Sequence, residues 1–219
     1  MKSLKQNSYL SKLSIAAGIV GIELLITAPA FAHHPLGGKM PANFFEGIMS
    51  GFGHPMIGLD HLAFIVASGL MAVGMTAGII IPIAFVIATG IGAGIHLALI
   101  DLPIPEIVIA ATVVLFGYLL VIKGKKREKN NYYLLITTLA GLSGIFHGFA
   151  YGEGIFGAEP TPLVAYLIGF TIIQLAISLV TYILATKLSK RISLKYITRF
   201  VGSAIAAIGI VFLSSAIIG

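Results

Sequence analysis

The residues of this chain best able to do chemistry lie in one short stretch, GFGHPMIGLDHLAF at 51–64, where His54, Asp60 and His61 fall within eight positions. Two imidazoles and a carboxylate are suitable donors for a divalent first-row cation, and nickel, cobalt, zinc or manganese would each accept them. On one continuous helix His54 and His61, seven residues or two turns apart, would share a face, with Asp60 offset from His61 by about 100°. Asp60 could instead act as an acceptor that orients a ligating imidazole. His147 lies in a second polar stretch, GLSGIFHGFAYGE, which also holds Glu153. His96, in GIHLAL, has no accompanying motif and reads equally well as a hydrogen-bonded residue at a helix end. Met49, Met56, Met71 and Met75 are soft donors by type, but packing is the better reading for them.

These residues are set in an apolar chain. It is 58% hydrophobic and 10% charged, with mean hydropathy +1.02, whereas soluble domains are roughly half apolar and a quarter charged. Several apolar runs reach about twenty residues, enough to cross a hydrocarbon core of roughly 30 Å. The fold class expected is therefore all-α: a polytopic membrane protein with six transmembrane helices after an N-terminal signal peptide. The net charge of +6 comes from short clusters between apolar runs, so it does not mark a nucleic-acid surface. There is no cysteine, which excludes disulfides and thiolate ligands. No GxxxxGK[ST] phosphate loop is present, so this chain does not hydrolyse ATP through one.

Three regions are expected. Residues 1–32 have a basic start, an apolar stretch and the small-x-small pattern Ala30-Phe31-Ala32, and read as a cleaved signal peptide. Residues 33–54 form an extracytoplasmic segment and pre-helix that begins with His33 and His34, a terminus able to catch a metal. Residues 55–219 form the membrane domain, with helices near 55–76, 79–100, 105–123, 132–151, 161–186 and 196–218. Pro55 suits a first helical position, and NFFEGIMSGFG before it reads as an interfacial piece preceding a kink.

Lysine and arginine placement sets the expected orientation. Lys123, Lys125, Lys126, Arg127 and Lys129 fall in one connection, and Lys187, Lys190, Arg191, Lys195 and Arg199 at another. The remaining connections hold Asp101, Glu106, Glu153 and Glu159 and no basic residue. With the mature N-terminus outside, both basic loops face the cytoplasm, and both termini are extracytoplasmic. His54, Asp60, His61, His96 and His147 then all lie toward the outer half of the membrane. Gly144, Gly148 and Gly152, and likewise Gly90 and Gly94, have the four-residue spacing that lets helix backbones approach in lipid.

The stretch His54-Pro55-Met56-Ile57-Gly58-Leu59-Asp60-His61 resembles the HPxxGxDH signature of the HupE/UreJ family of nickel and cobalt permeases. Phe146-His147-Gly148-Phe149-Ala150 is similar to that family's second signature, FHGxA followed by HGxE. The chain departs from the second pattern at Tyr151, where a histidine is expected, and at Gly154, where a glutamate is expected; Glu153 stands one position earlier. The resemblance implies uptake of Ni²⁺ or Co²⁺ across a bacterial-type plasma (inner) membrane by a secondary transporter that is not an enzyme. It also implies that His54, Asp60, His61 and His147 line the metal pathway, with Glu153, His96, His33 and His34 as accessory candidates. The cation is substrate, and no cofactor is expected. The expected partners are that divalent ion and the lipid bilayer, with homo-oligomerisation left open and nucleic acid excluded.

Two other classes compete. Gly141-Leu142-Ser143-Gly144 has the GxSG form found around intramembrane serine nucleophiles, but a serine and a histidine on adjacent turns of one helix both project outward and rarely meet. A membrane metal-dependent hydrolase could use the same ligands catalytically. A non-transporting metal sensor or accessory membrane protein is the third reading, disfavoured by the lack of a sizeable soluble domain.

Overall fold

The computed structural model describes residues 39–123 and 130–218. The expected signal peptide, His33, His34, Lys125, Lys126, Arg127 and Lys129 lie outside the described residues. Among the described residues there are seven helices and no strand: α1 Phe44–Ile57, α2 Leu59–Met71, α3 Ile80–Leu97, α4 Pro105–Ile122, α5 Asn130–Glu153, α6 Pro160–Leu188 and α7 Leu194–Ile218. Helices α3 to α7 are each long and apolar enough to cross a membrane. Their ends fall within a few residues of those expected from hydropathy.

The first span differs from expectation. It is two helices, α1 and α2, bent by 80° at Gly58. The chain enters the helix eleven residues before Pro55 because Asn43 caps it. The Asn43 side chain accepts from the Glu46 N–H at 3.0 Å, and the Glu46 carboxylate accepts from the Ala42 N–H at 2.8 Å. This reciprocal arrangement satisfies amides that would otherwise be orphaned at a helix start. Pro55 is thus inside the last turn of α1 rather than at a first turn. Its missing N–H weakens that turn, and Gly58, with ψ near 100°, leaves the helical path. The kink lies after His54, not before it.

Helix directions follow from close glycine contacts. Gly144, Gly148 and Gly152 of α5 press against Phe85, Thr89 and Ala93 of α3, four-residue step on four-residue step, so the two helices are parallel. A Cβ at Gly148 would collide with the Thr89 backbone. Gly90 and Gly94, whose spacing also suggested a packing face, look onto open space; Gly92 is the α3 glycine held against α5, at Ile145 and Phe149. Helices α4 and α7 run antiparallel, joined at Gly117 and Gly202. Helix α1 runs parallel to α6, with Gly47 against Pro162 and Gly51 against Tyr166.

These pairs surround α2, which is buried along most of its length. Phe64 stacks on Phe85 (4.7 Å between ring centroids) and tilts against Phe116 (4.5 Å). Because lipid is as apolar as a leucine side chain, such helices are held by close packing and polar contacts more than by burial of oil.

Gly47 begins beside Pro162, at the start of α6. Lys123, at the end of α4, donates from Nζ to the carbonyls of Leu70 (3.4 Å), Met71 and Val73 (2.8 Å) at the end of α2. The α1–α2 pair therefore reaches from one end of the bundle toward the other, and counted as one bent span it brings the candidate spans among the described residues from five to six. Lys123, counted from the sequence among the basic residues of a connection, is a buried helix cap, 8% exposed. Alternating directions put the Asp101 and Glu159 connections at one end, and Lys123 with the exposed Lys187, Lys190, Arg191 and Lys195 at the other.

Candidate functional site

Three imidazoles from three helices meet where the first span breaks. His54 belongs to the last turn of α1, His61 to the first turn of α2 and His147 to α5. All are buried, at 3%, 3% and 0% exposure. Ring centroids are 5.7 Å apart for His54 and His61, and 5.0 Å for His61 and His147. His54 and His61 do not meet by sharing a face of one helix, as continuous geometry suggested. Seven residues of straight helix would separate them by about 10 Å along the axis. The bend at Gly58 brings the rings together instead.

Hydrogen bonds fix the rings. His61 Nδ1 and His147 Nδ1 lie 2.8 Å apart, and His147 Nε2 lies 3.3 Å from Thr112 Oγ1. The Tyr166 hydroxyl donates to the Tyr151 carbonyl at 3.0 Å and lies 2.7 Å from His54 Nδ1. Asp60, 8% exposed, accepts from the His61 backbone N–H at 2.9 Å. That satisfies an amide at the start of α2 and ties the carboxylate to the residue beside it. Among the described residues no group of three or more His, Asp or Glu side chains is disposed as a ready-made metal cage. The resting arrangement is a chain of rings.

Two glycines give the rings room. A Cβ at Gly58 would stand 2.7 Å from His61 Cδ2 and 3.3 Å from Asp60 Oδ1, and one at Gly154 would stand 2.7 Å from His54 Cε1. Tyr151 is fully buried, with its ring 5.0 Å from His54 and 4.7 Å from His61. Its hydroxyl has no hydrogen-bond partner. Both positions at which the chain departs from the second signature, Tyr151 and Gly154, therefore border His54. Phe64 and Phe85, at 4.7 and 5.5 Å from His147, close the inner side with apolar surface.

The other candidates lie elsewhere. His96, in the last turn of α3, packs on Phe149 (4.6 Å) and Phe156 (5.8 Å), and its buried Nδ1 has no partner. Glu153 is exposed as the last residue of α5. Of the methionines, Met71 is fully buried in the core. Ser143 donates to the Leu139 carbonyl at 2.7 Å on its own helix, while both ring nitrogens of His147 are engaged by His61 and Thr112. That leaves GLSG without a nucleophile–base pair.

Sequence reasoning passed over Thr112 and Tyr166. Neither belongs to a motif, and a lone hydroxyl in an apolar helix is an ordinary occurrence. The available signal was that Thr112 is one of only three polar side chains in PEIVIAATVVLFGYLLVI, with Glu106 and Tyr118.

The sequence profile of the family described as HupE / UreJ protein matches residues 21–212. Protein HupE of Rhizobium leguminosarum bv. viciae is 28% identical over 196 residues, covering 86% of this chain and 93% of that protein. No solved structure matches the chain. A profile match across nearly all of the membrane-spanning region, together with the two signatures at the helix break and on α5, shows that the chain belongs to the HupE/UreJ family.

Proposed function

We propose that this protein is a secondary permease that takes up a divalent transition-metal cation, Ni²⁺ or Co²⁺, into the cytoplasm of a bacterial-type cell, and that it is not an enzyme. The observation that carries the proposal is the convergence of His54, His61 and His147, with Asp60, at the break of a membrane-spanning helix. Ionisable side chains within a span cost about 2.5 to 3.5 kcal/mol on insertion scales and so usually face a pathway or a partner. Family membership supports the same reading.

The acidic end of the bundle, with Asp101, Glu106, Glu153 and Glu159 exposed, is the extracytoplasmic face in this reading. The lysine- and arginine-bearing end faces the cytoplasm. The exposed carboxylates gather the cation. The imidazoles and Asp60 then replace part of its hydration shell, the rings rotating from their chain onto the ion. Nitrogen donors at about 2.0–2.1 Å and carboxylate oxygen suit nickel and cobalt, and availability decides between such similar ions. The membrane potential drives inward movement: two charges gain about 4.6 kcal/mol per 100 mV, roughly a thousandfold in accumulation.

Accumulation of radiolabelled nickel and of cobalt, each competed with the other and with zinc, tests the proposal. Cells would carry the wild type, Asp60→Asn or His147→Ala at matched membrane levels. Selective uptake that both substitutions abolish is expected. Wild-type accumulation no greater than that of empty cells would refute transport.

A further inference from the structure

One buried polar side chain in the middle of the bundle has no part in the transport reading. Gln174 stands at the centre of the 29-residue α6 and is 0% exposed. Its Nε2 donates to the Phe170 carbonyl at 3.0 Å and to Thr89 Oγ1 at 3.3 Å. A carbonyl oxygen only accepts, so the amide nitrogen must face it, and the amide has one orientation. Its oxygen, Oε1, is then fixed as well, and it is buried with no hydrogen-bond partner. A bare amide oxygen inside a membrane span is costly, and leucine or methionine would fill the same space without that cost.

The position of this oxygen relates it to the histidines. Gly69 of α2 presses on the Ser178 carbonyl of α6, and both helices run toward the lysine-bearing end. One turn back on each helix, Gln174 comes level with Ile65, about 6 Å inward of His61 along α2. Tyr166, Phe170, Gln174 and Ser178 recur every four residues on one buried face of α6. The first two touch the cluster: the Tyr166 hydroxyl lies 2.7 Å from His54 Nδ1, and the Phe170 ring is 5.2 Å from that of Tyr151. Phe64 and Phe85 cover His147 with apolar surface, whereas the α6 face continues inward with polar atoms. The two hydroxyls next to the amide have committed their protons to main-chain carbonyls. Thr89 donates to Val86 at 2.7 Å, and Ser178 to Gln174 itself at 2.8 Å. What remains on this face is a set of oxygen lone pairs, which suits a cation or the water it carries and repels an anion.

We propose that Gln174 Oε1 is a second ligand position for the transported cation, one helical turn inward of the imidazoles, which the ion occupies on its way to the cytoplasm. A neutral amide oxygen holds a divalent ion more weakly than imidazole and carboxylate together, which suits a position that must release it. The ion keeps part of its water there, because one amide oxygen does not replace a hydration shell. The inference rests on the permease reading for its purpose, but ligation by Oε1 is measurable without transport.

The chain has two glutamines, Gln6 and Gln174. In the full chain in lipid nanodiscs, ¹³C at the glutamine side-chain carbonyl therefore gives an infrared signal that Gln174→Met assigns. Ni²⁺ or Co²⁺ is expected to move the Gln174 carbonyl stretch to lower frequency, since a directly bound cation weakens the C=O bond. Thr89→Val, which leaves the Phe170 carbonyl to orient the amide, should keep that shift. In proteoliposomes Gln174→Met should lower the maximal uptake rate about tenfold or more, with the KM for Ni²⁺ near that of the wild type. Gln174→Glu keeps an oxygen in place and should retain most of the rate, and Thr89→Val should match the wild type. A carbonyl stretch unmoved at the metal concentrations used for uptake would overturn the inference, as would a full-rate Gln174→Met. Thr89→Val as slow as Gln174→Met would also overturn it, by making the amide a tie between α3 and α6 and nothing more. Wild-type liposomes that carry neither nickel nor cobalt would instead refute the permease reading, and the infrared shift would then decide the ligand by itself.

Discussion

Gly58→Ala is the smallest change that separates the geometry of the cluster from the stability of the fold. Gly58 has φ −69° and ψ 100°, a conformation open to any L-residue, so the backbone does not require glycine there. The space does. The added Cβ would stand 2.7 Å from His61 Cδ2, and ordinary contact begins at 3.4 Å; the ring must therefore retreat by about 0.7 Å, the difference of the two. His147 at 2.8 Å and the Tyr151 ring at 4.7 Å resist that retreat. A site of this kind holds its geometry to within about 0.5 Å, and a displacement of about 1 Å can cost up to 100-fold. We expect the KM for Ni²⁺ to rise about tenfold, near 1.4 kcal/mol. Thermal stability should change only modestly, because the about 0.4–1 kcal/mol gained by restricting the unfolded chain offsets part of the about 1–3 kcal/mol that crowding a packed ring costs. Initial uptake rates across metal concentrations, paired with thermal unfolding of the purified protein, make the measurement. A wild-type KM would refute the reasoning. So would a KM change accompanied by a large fall in unfolding temperature, which would make Gly58 a determinant of the fold instead.

Tyr166→Phe removes the hydroxyl that meets His54 Nδ1 and should raise the KM for uptake about tenfold or more with little change in protein level, read by the same transport assay. Gly148→Ala drives a methyl into the Thr89 backbone, which cannot rotate aside, and should destabilise by about 1–3 kcal/mol; Gly94→Ala, pointing into open space, should be neutral or stabilising by up to about 1 kcal/mol. Equal unfolding temperatures for those two variants would show that the α3–α5 register is wrong. Lys123→Met takes a buried ammonium from three carbonyls at the end of α2 and should cost about 2 kcal/mol or more, since charge-assisted bonds contribute about 1.5–3 kcal/mol each. Lys123→Arg should recover part of that loss in the same thermal assay.

The membrane architecture was legible in the sequence because it depends on quantities that sum along the chain. Run length against bilayer thickness placed five spans to within a few residues, and the separation of acidic from basic connections appeared again at opposite ends of the bundle. The motif residues were legible too, since His54, Asp60, His61 and His147 are costly residues in an apolar setting. The broken first span was misread because Pro55 is a strong local signal for a helix start, while the real start depends on the weaker Asn43–Glu46 pair. The glycines show the same limit: Gly90 and Gly94 have the spacing for packing, yet only the tertiary arrangement decides that Gly92 faces α5 and they do not. The partners of the imidazoles were beyond linear reading altogether. His61 meets His147 from 86 residues away, and His54 meets Tyr166 from 112. A hydrogen bond is chosen by which atoms the packed helices bring within about 3 Å, and that distance depends on a helix bend and three helix pairings at once. Composition and spacing determined that a polar site had to exist within an apolar bundle; the bend at Gly58 and the register of α5 and α6 decided which side chains meet there.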